Sequence, residues 1–145
     1  QPYQAHLQFE NLIEDYFVVC TQQTKMNLSL YLSSPHIGVS SRRTGLLLED
    51  IYLNRQQLSR QIFLRCQHYS TALQVLAQHP NAILTIPQSI LKHLHYSKDL
   101  QIHALPIELP KINMGMYWHE HVKHNPRHQF LRTEILKIFN PDLIC

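Results

Sequence analysis

Apolar residues along the 145-residue chain fall in short, β-branched bursts separated by stretches that repeat every three or four positions. Bursts predict strands and repeats predict amphipathic helices, because side chains alternate across a strand but recur at i, i+3 and i+4 on a helix face. Phe17-Val18-Val19-Cys20 is the first predicted strand. Asn27 can cap a short helix with Leu28, Tyr31 and Leu32 on one face, since its carboxamide accepts from the free first-turn amides. His36 to Ser40 is a second strand, and Thr44 caps the next helix, with Leu47, Leu48, Ile51 and Tyr52 on its buried side. Arg60 to Gln67 is a third strand that puts Ile62, Leu64 and Cys66 on one face.

Ser70 then opens a helix carrying Leu73, Leu76 and Ala77, and Ala82 to Ile86 forms a fourth strand buried on both faces. Pro87 starts a helix with Ile90, Leu91 and Leu94, as proline suits a first helical turn. Ile102 to Leu105 and Met114 to Trp118 are the last strands, joined by a proline-broken connector from Pro106 to Pro110. Asn125 caps the final helix, Pro126 occupies its first position, Leu131, Ile135 and Ile138 form its apolar stripe, and Pro141 stops it. Strands alternating with helices over short loops predict an α/β fold with a mostly parallel sheet covered by helices.

Composition narrows the function. A hydrophobic content of 44% and a charged content of 16% are those of a globular protein, and no apolar run reaches the roughly 20 residues of a membrane helix. Cys20, Cys66 and Cys145 are odd in number and far apart, which argues for a reducing, cytoplasmic setting and against a disulfide framework. The net charge of +3 is spread along the chain without a basic stripe, so direct DNA binding by this segment is not expected. The start at Gln1 rather than Met, without a basic-then-apolar leader, leads to the expectation of an excised piece.

Candidate chemistry sits where strands end, because ligands of open α/β sheets lie beyond the strand carboxyl ends. Ser40-Ser41-Arg42-Arg43-Thr44 is one such turn. Its hydroxyls, free amides and an arginine fork suit a carboxylate, although Ser40 or Thr44 can equally be a plain helix cap with both arginines in water. Gln67-His68-Tyr69 is another: His68 can donate or accept and Tyr69 can stack on a ring, against the alternative of a histidine bonded to a carbonyl.

Three phrases occur in a telling order: Ser34-Pro35-His36-Ile37-Gly38-Val39-Ser40, Ala82-Ile83-Leu84-Thr85-Ile86-Pro87, and Met116-Tyr117-Trp118-His119 followed by Asn125-Pro126-Arg127-His128-Gln129-Phe130-Leu131-Arg132. Together they resemble the C-terminal effector-binding domain of LysR-type transcriptional regulators, nearest the subgroup sensing small aromatic compounds. The resemblance implies a type 2 periplasmic-binding-protein-like fold with two lobes joined by crossing strands. Residues 21–116 would form one complete lobe, and residues 1–20 and 117–145 parts of the other, with the winged helix-turn-helix absent from this chain.

The same resemblance implies a small effector, aromatic or carboxylated, held between the lobes, and a homodimer or homotetramer that reaches DNA only through the absent domain, without membrane contact. It adds Tyr117, at one crossing strand, and Thr21, at the other, to the ligand-binding candidates Ser40, Ser41, Arg42, Thr44, His68 and Tyr69; Trp118 is assigned to the core. The subgroup carries a polar or imidazole side chain after the Thr-Gly step, but Leu46 follows Thr44-Gly45 here, so the effector differs from that of the nearest relatives.

Rival classes are a solute-binding protein of a transport system, which shares the implied fold, and a zinc hydrolase. For the latter, His119-Glu120 and His124 are spaced one residue too far for His-Glu-x-x-His, and Asn125-Pro126 interrupts a helix there. With three glycines and no paired carboxylates, the sequence offers no catalytic anchor, so no catalytic residue, metal or cofactor is expected.

Overall fold

The computed structural model describes residues 6–140; Pro141 and Cys145 lie outside the described residues. In chain order the elements are β1 (Leu7–Asp15), β2 (Phe17–Thr21), α1 (Leu28–Ser33), β3 (Pro35–Val39), α2 (Leu48–Arg55), β4 (Gln61–Cys66), α3 (Tyr69–Leu76), β5 (Ile83–Pro87), α4 (Gln88–Leu91), β6 (Gln101–Ala104), β7 (Ile112–His119), a 3-10 turn (Glu120–Val122) and α5 (Pro126–Phe139). They group into two units, one spanning Tyr16–Lys111 and the other combining the segment that ends at Asp15 with the segment that begins at Ile112.

The Tyr16–Lys111 unit is built on a five-stranded sheet of order β4-β3-β5-β2-β6. β3 runs parallel to β4 and β5, whereas β2 is antiparallel to both β5 and β6. The sheet is therefore mixed, with β2 alone reversed. Parallel neighbours need crossover segments, which α2 and α3 supply. β2 and β5 are buried at every position, so their near-continuous apolar sequences reflect cover on both faces. Strand alternation sends Val18, Cys20, Leu84 and Ile86 into a core with α3 and α4, and Val19 and Ile83 into a second core with Tyr31 and Leu53.

The asparagine caps form as the sequence predicts: Asn27 Oδ1 accepts from Leu30 N at 2.8 Å, and Asn125 Oδ1 accepts from Arg127 N at 3.0 Å and His128 N at 3.3 Å, with Pro126 in the first turn. Other boundaries move. α2 begins at Leu48 behind Leu47, which has no capping side chain, so Thr44 is not its cap. The reason is packing. Leu47 is buried and its Cδ1 fills the place where a Cβ on Gly38 would stand, so the chain turns helical only after that side chain is seated. α2 consequently buries Glu49 and Leu53 and leaves Leu48 46% exposed. α3 opens one residue before Ser70, with His68 at its cap position, and Pro87 ends β5 instead of starting α4. In the edge strand β4 a register shift opposite His36 and Ile37 breaks the alternation, leaving Leu64 36% exposed.

The burial of Glu49 is explained by a polar cluster on the α1 and α2 side of the sheet. Arg60, with a side chain 1% exposed, donates from Nε to Asp50 Oδ1 at 2.7 Å, and its Nη2 lies 3.9 Å from Glu49 Oε2. Its Nη1 faces Thr85 Oγ1 at 3.3 Å and His36 Nδ1 at 3.4 Å, while the Tyr31 and Thr85 hydroxyls share a 2.7 Å bond. His36 is fully buried, and its Nε2 donates to the Tyr31 carbonyl. Nδ1 must then accept from Arg60, which requires the neutral ring. Burial, reinforced by the Arg60 charge, pulls the imidazole pKa down to about 4.

In the other unit β1 pairs antiparallel with β7, from Leu7 opposite His119 to Asp15 opposite Ile112. The Phe9 ring covers Gly115, where any Cβ would collide with it, and packs on Tyr117 with centroids 4.8 Å apart. Trp118 is half-buried under the Arg132 guanidinium, 4.6 Å from its ring, and so is a cation–π partner where the sequence predicts plain core. Of the predicted apolar stripe of α5, Leu131 is 54% and Ile138 75% exposed, while Ile135 is half-buried.

Candidate functional site

At the carboxyl ends of β3 and β4 the chain leaves the sheet through two polar turns. Residues 40–47 lead to α2 and Gln67-His68 lead to α3, while α4 follows β5 on the same side of the sheet. Between them lies a cavity of about 410 Å³ lined by Val39, Ser40, Ser41, Gln67, His68, Tyr69, Ser70, Ile90 and Leu94. Four sequence-predicted residues, Ser40, Ser41, His68 and Tyr69, therefore meet in one place. Val39, Ile90 and Leu94 supply an apolar floor of the kind that takes a ring or alkyl body.

The polar groups around this cavity are largely unspent. Ser40 N donates to Cys66 O at 2.9 Å, which ties the start of the turn to β4, and Ser40 Oγ accepts from Arg42 N at 3.1 Å. Ser41, Gln67, His68 and Ser70 have no side-chain hydrogen bond among the described residues. The first intrahelical bond of α3 runs from Ala72 N to His68 O and no side chain caps the helix, so the Ser70 and Thr71 amides are uncapped donors at its positive end. Hydroxyls, a carboxamide, an imidazole and free amides together form a donor-rich wall without a lysine or arginine. Such a wall can orient a carboxylate or hydroxyl group of a ligand; no arrangement of nucleophile and base is present in it.

The remaining candidates lie elsewhere. Arg42 is exposed and its Nη2 approaches Leu46 O at 3.5 Å, outside this cavity's lining. Thr44 is exposed in the same loop, beyond the cavity wall. Thr21 is buried, and its hydroxyl donates to Ala82 O at 2.8 Å and accepts from Gln23 N at 3.3 Å, which spends it within the fold. Tyr117 belongs to the β1–β7 unit and is 65% exposed there. The sequence reading missed Ile90 and Leu94 as pocket residues, because a cavity-lining leucine and a core leucine give the same helical periodicity.

A larger concavity of about 720 Å³ borders α2 and the connector after β6, where apolar side chains such as Phe17, Leu105 and Ile107 alternate with Tyr52, Arg55 and Lys111. Its Gln56 side chain donates to Glu108 O at 3.0 Å and its Arg55 guanidinium lies 5.5 Å from the Tyr52 ring centroid; none of the sequence-predicted site residues lines it. In the histidine-rich tail, the His119 and His121 rings stack 4.5 Å apart, and His119 Nδ1 accepts from His121 N at 3.2 Å.

No family model matches the chain. It is 25% identical over 118 residues to the HTH-type transcriptional activator NagR of Ralstonia sp, a match that covers 81% of this chain and 39% of that protein. The chain thus spans about two fifths of the length of this curated relative. Among solved structures, the regulatory domain of MexT, a transcriptional activator in Pseudomonas aeruginosa, superposes with a TM-score of 0.74 at 19% identity, covering 93% of this chain and 66% of that one. The BenM effector-binding domain with its effector benzoate superposes with a TM-score of 0.70 at 11% identity, covering 97% and 67%. NagR and MexT are both transcriptional activators. The chain has the α/β, type 2 periplasmic-binding-protein-like fold of the effector-binding domains of LysR-type transcriptional regulators.

Proposed function

We propose that this chain is the effector-sensing part of a bacterial LysR-type transcriptional regulator and that its small-molecule effector docks in the cavity formed by Ser40, Ser41, Gln67, His68, Tyr69 and Ser70. The observation that carries this reading is the set of polar side chains without a hydrogen bond among the described residues, those of Ser41, Gln67, His68 and Ser70, around an apolar floor at the strand carboxyl ends. The donor-rich wall favours a compact ring bearing a carboxylate or hydroxyl groups, with Tyr69 as the aromatic neighbour. Arg42, Thr44, Thr21 and Tyr117 are in this reading outer or indirect contributors to ligand response. Binding would bias the regulator between two arrangements by the difference in effector affinity for them. DNA contact, assembly as a homodimer or homotetramer and residence in the cytoplasm belong in this reading to the whole regulator. Among the described residues no helix is long and apolar enough to cross a membrane.

The test is a thermal-shift screen with benzoate, salicylate and shikimate as probes. A ligand at about 100 times its dissociation constant stabilises by about 2.7 kcal/mol, which raises the melting temperature by several degrees. His68→Ala and Ser41→Ala should abolish the shift without lowering the ligand-free melting temperature, because both side chains are exposed and unpartnered. A probe whose shift is unchanged in both variants binds elsewhere and refutes this site.

A further inference from the structure

A pocket wall is only as well placed as the segment carrying it, and residues 40–47 contain no helix or strand. Two features hold that segment in shape. Gly45 adopts φ +94°, a left-handed conformation that glycine accepts without strain and other residues resist. Its carbonyl then meets Arg65 on β4: Nη1 donates to Gly45 O at 2.6 Å and Nη2 to Arg42 O at 3.2 Å. One planar fork thus grips the loop at two main-chain carbonyls, while its Nε is buried without an acceptor among the described residues. Arg65 precedes Cys66, whose carbonyl holds Ser40 N, and the strand then continues into Gln67 and His68. The same strand therefore carries one wall of the cavity and grips the other.

We propose that Arg65 is a positioning residue for the effector cavity: by clamping the carbonyls of Arg42 and Gly45 it sets Ser40 and Ser41 relative to His68. The inference rests on the reading of that cavity as the effector site. It does not require Arg65 to touch the effector. Lysine keeps the charge but is a point donor on a flexible stem and lacks the rigid fork that spans two carbonyls.

Limited trypsin digestion, with the cleaved bonds identified by mass spectrometry, tests the clamp without any ligand. Its outcome is therefore independent of the effector screen. Arg42 and Arg43 are exposed cleavage positions inside the gripped loop, and the exposed Lys98, in a different turn, serves as the control. In Arg65→Gln, cleavage after Arg42 or Arg43 should accelerate about tenfold or more, the effect of losing one hydrogen bond from a charged donor on local opening. Cleavage after Lys98 should keep the parental rate, and Arg65→Lys should fall between parent and glutamine variant. If the glutamine variant does not fold, the lysine variant decides alone by the ratio of the two cleavage rates. Equal acceleration at both positions would assign Arg65 to general stability, and parental rates in the loop would remove the clamp; either result overturns the proposal.

Discussion

Acidification should weaken the fold through a single imidazole. The His36 ring is buried, donates to Tyr31 O and accepts from Arg60, and its pKa is about 4 against an ordinary 6.5. Between those two values the unfolded chain binds a proton that the folded chain refuses. Stability from this group is therefore complete above pH 6.5 and is lost progressively as the pH falls toward 4. The whole span is worth about 3 kcal/mol, and the part between pH 7 and pH 5 roughly 2 kcal/mol. Glu49 acts in the opposite sense: burial raises its carboxyl pKa, so its protonation supports the fold as the pH drops. Comparison with His36→Gln, which keeps a donor but cannot titrate, separates the two. Urea unfolding followed by circular dichroism at pH 7, 6 and 5 should show the parent's advantage over the variant shrinking by about 2 kcal/mol. A pH-independent difference, or an NMR titration of the His36 ring with a midpoint near 6.5, would refute the assignment of a neutral, Arg60-bound imidazole.

Two further outcomes follow from the same unit. Arg60→Ala strands the Glu49 and Asp50 carboxylates in the interior and should cost about 3–5 kcal/mol in urea unfolding at pH 7. The loss should shrink as the pH falls, because burial raises the Glu49 carboxyl pKa and removal of the Arg60 charge raises it further, and a variant equally destabilised at pH 7 and pH 5 would contradict the buried pairing. Gly45→Ala meets no atom within 4 Å, so any cost arises from the backbone conformation alone; a melting curve should show a loss of about 1–2 kcal/mol, and an unchanged curve would mean that the loop tolerates another conformation.

Much of the Tyr16–Lys111 unit was legible because its signals are local. Asn27, like Asn125 in the other unit, announces a helix start through the chemistry of one side chain, and the unbroken Ile83-Leu84-Thr85-Ile86 run announces a strand buried on both faces. What escaped depends on partners distant in sequence. β1 carries charges along an exposed strand and has no periodic apolar face to betray it; it is defined by β7, more than a hundred residues later. The start of α2 was misplaced because Thr44 has capping chemistry, whereas the decisive contact is Leu47 seated over Gly38. Arg60 looked like one scattered base among many, since nothing local links it to Glu49 and Asp50. In the candidate site, strand ends pick out Ser40, Ser41, His68 and Tyr69, which line one cavity, but the direction of the Arg42 side chain was not readable: a loop's composition does not say which way its guanidinium turns.

The reversed strand β2 also has a consequence for biosynthesis. It lies between β5 and β6, so Phe17–Thr21 leaves the ribosome long before either hydrogen-bonding neighbour has been translated. Until residues 83–104 emerge, five adhesive backbone units remain exposed on a nascent polypeptide, a hazard that grows with the sequence separation of native pairs. Slow, late closure of the sheet, and dependence on chaperones during translation, are the expected cost of threading this strand through the middle.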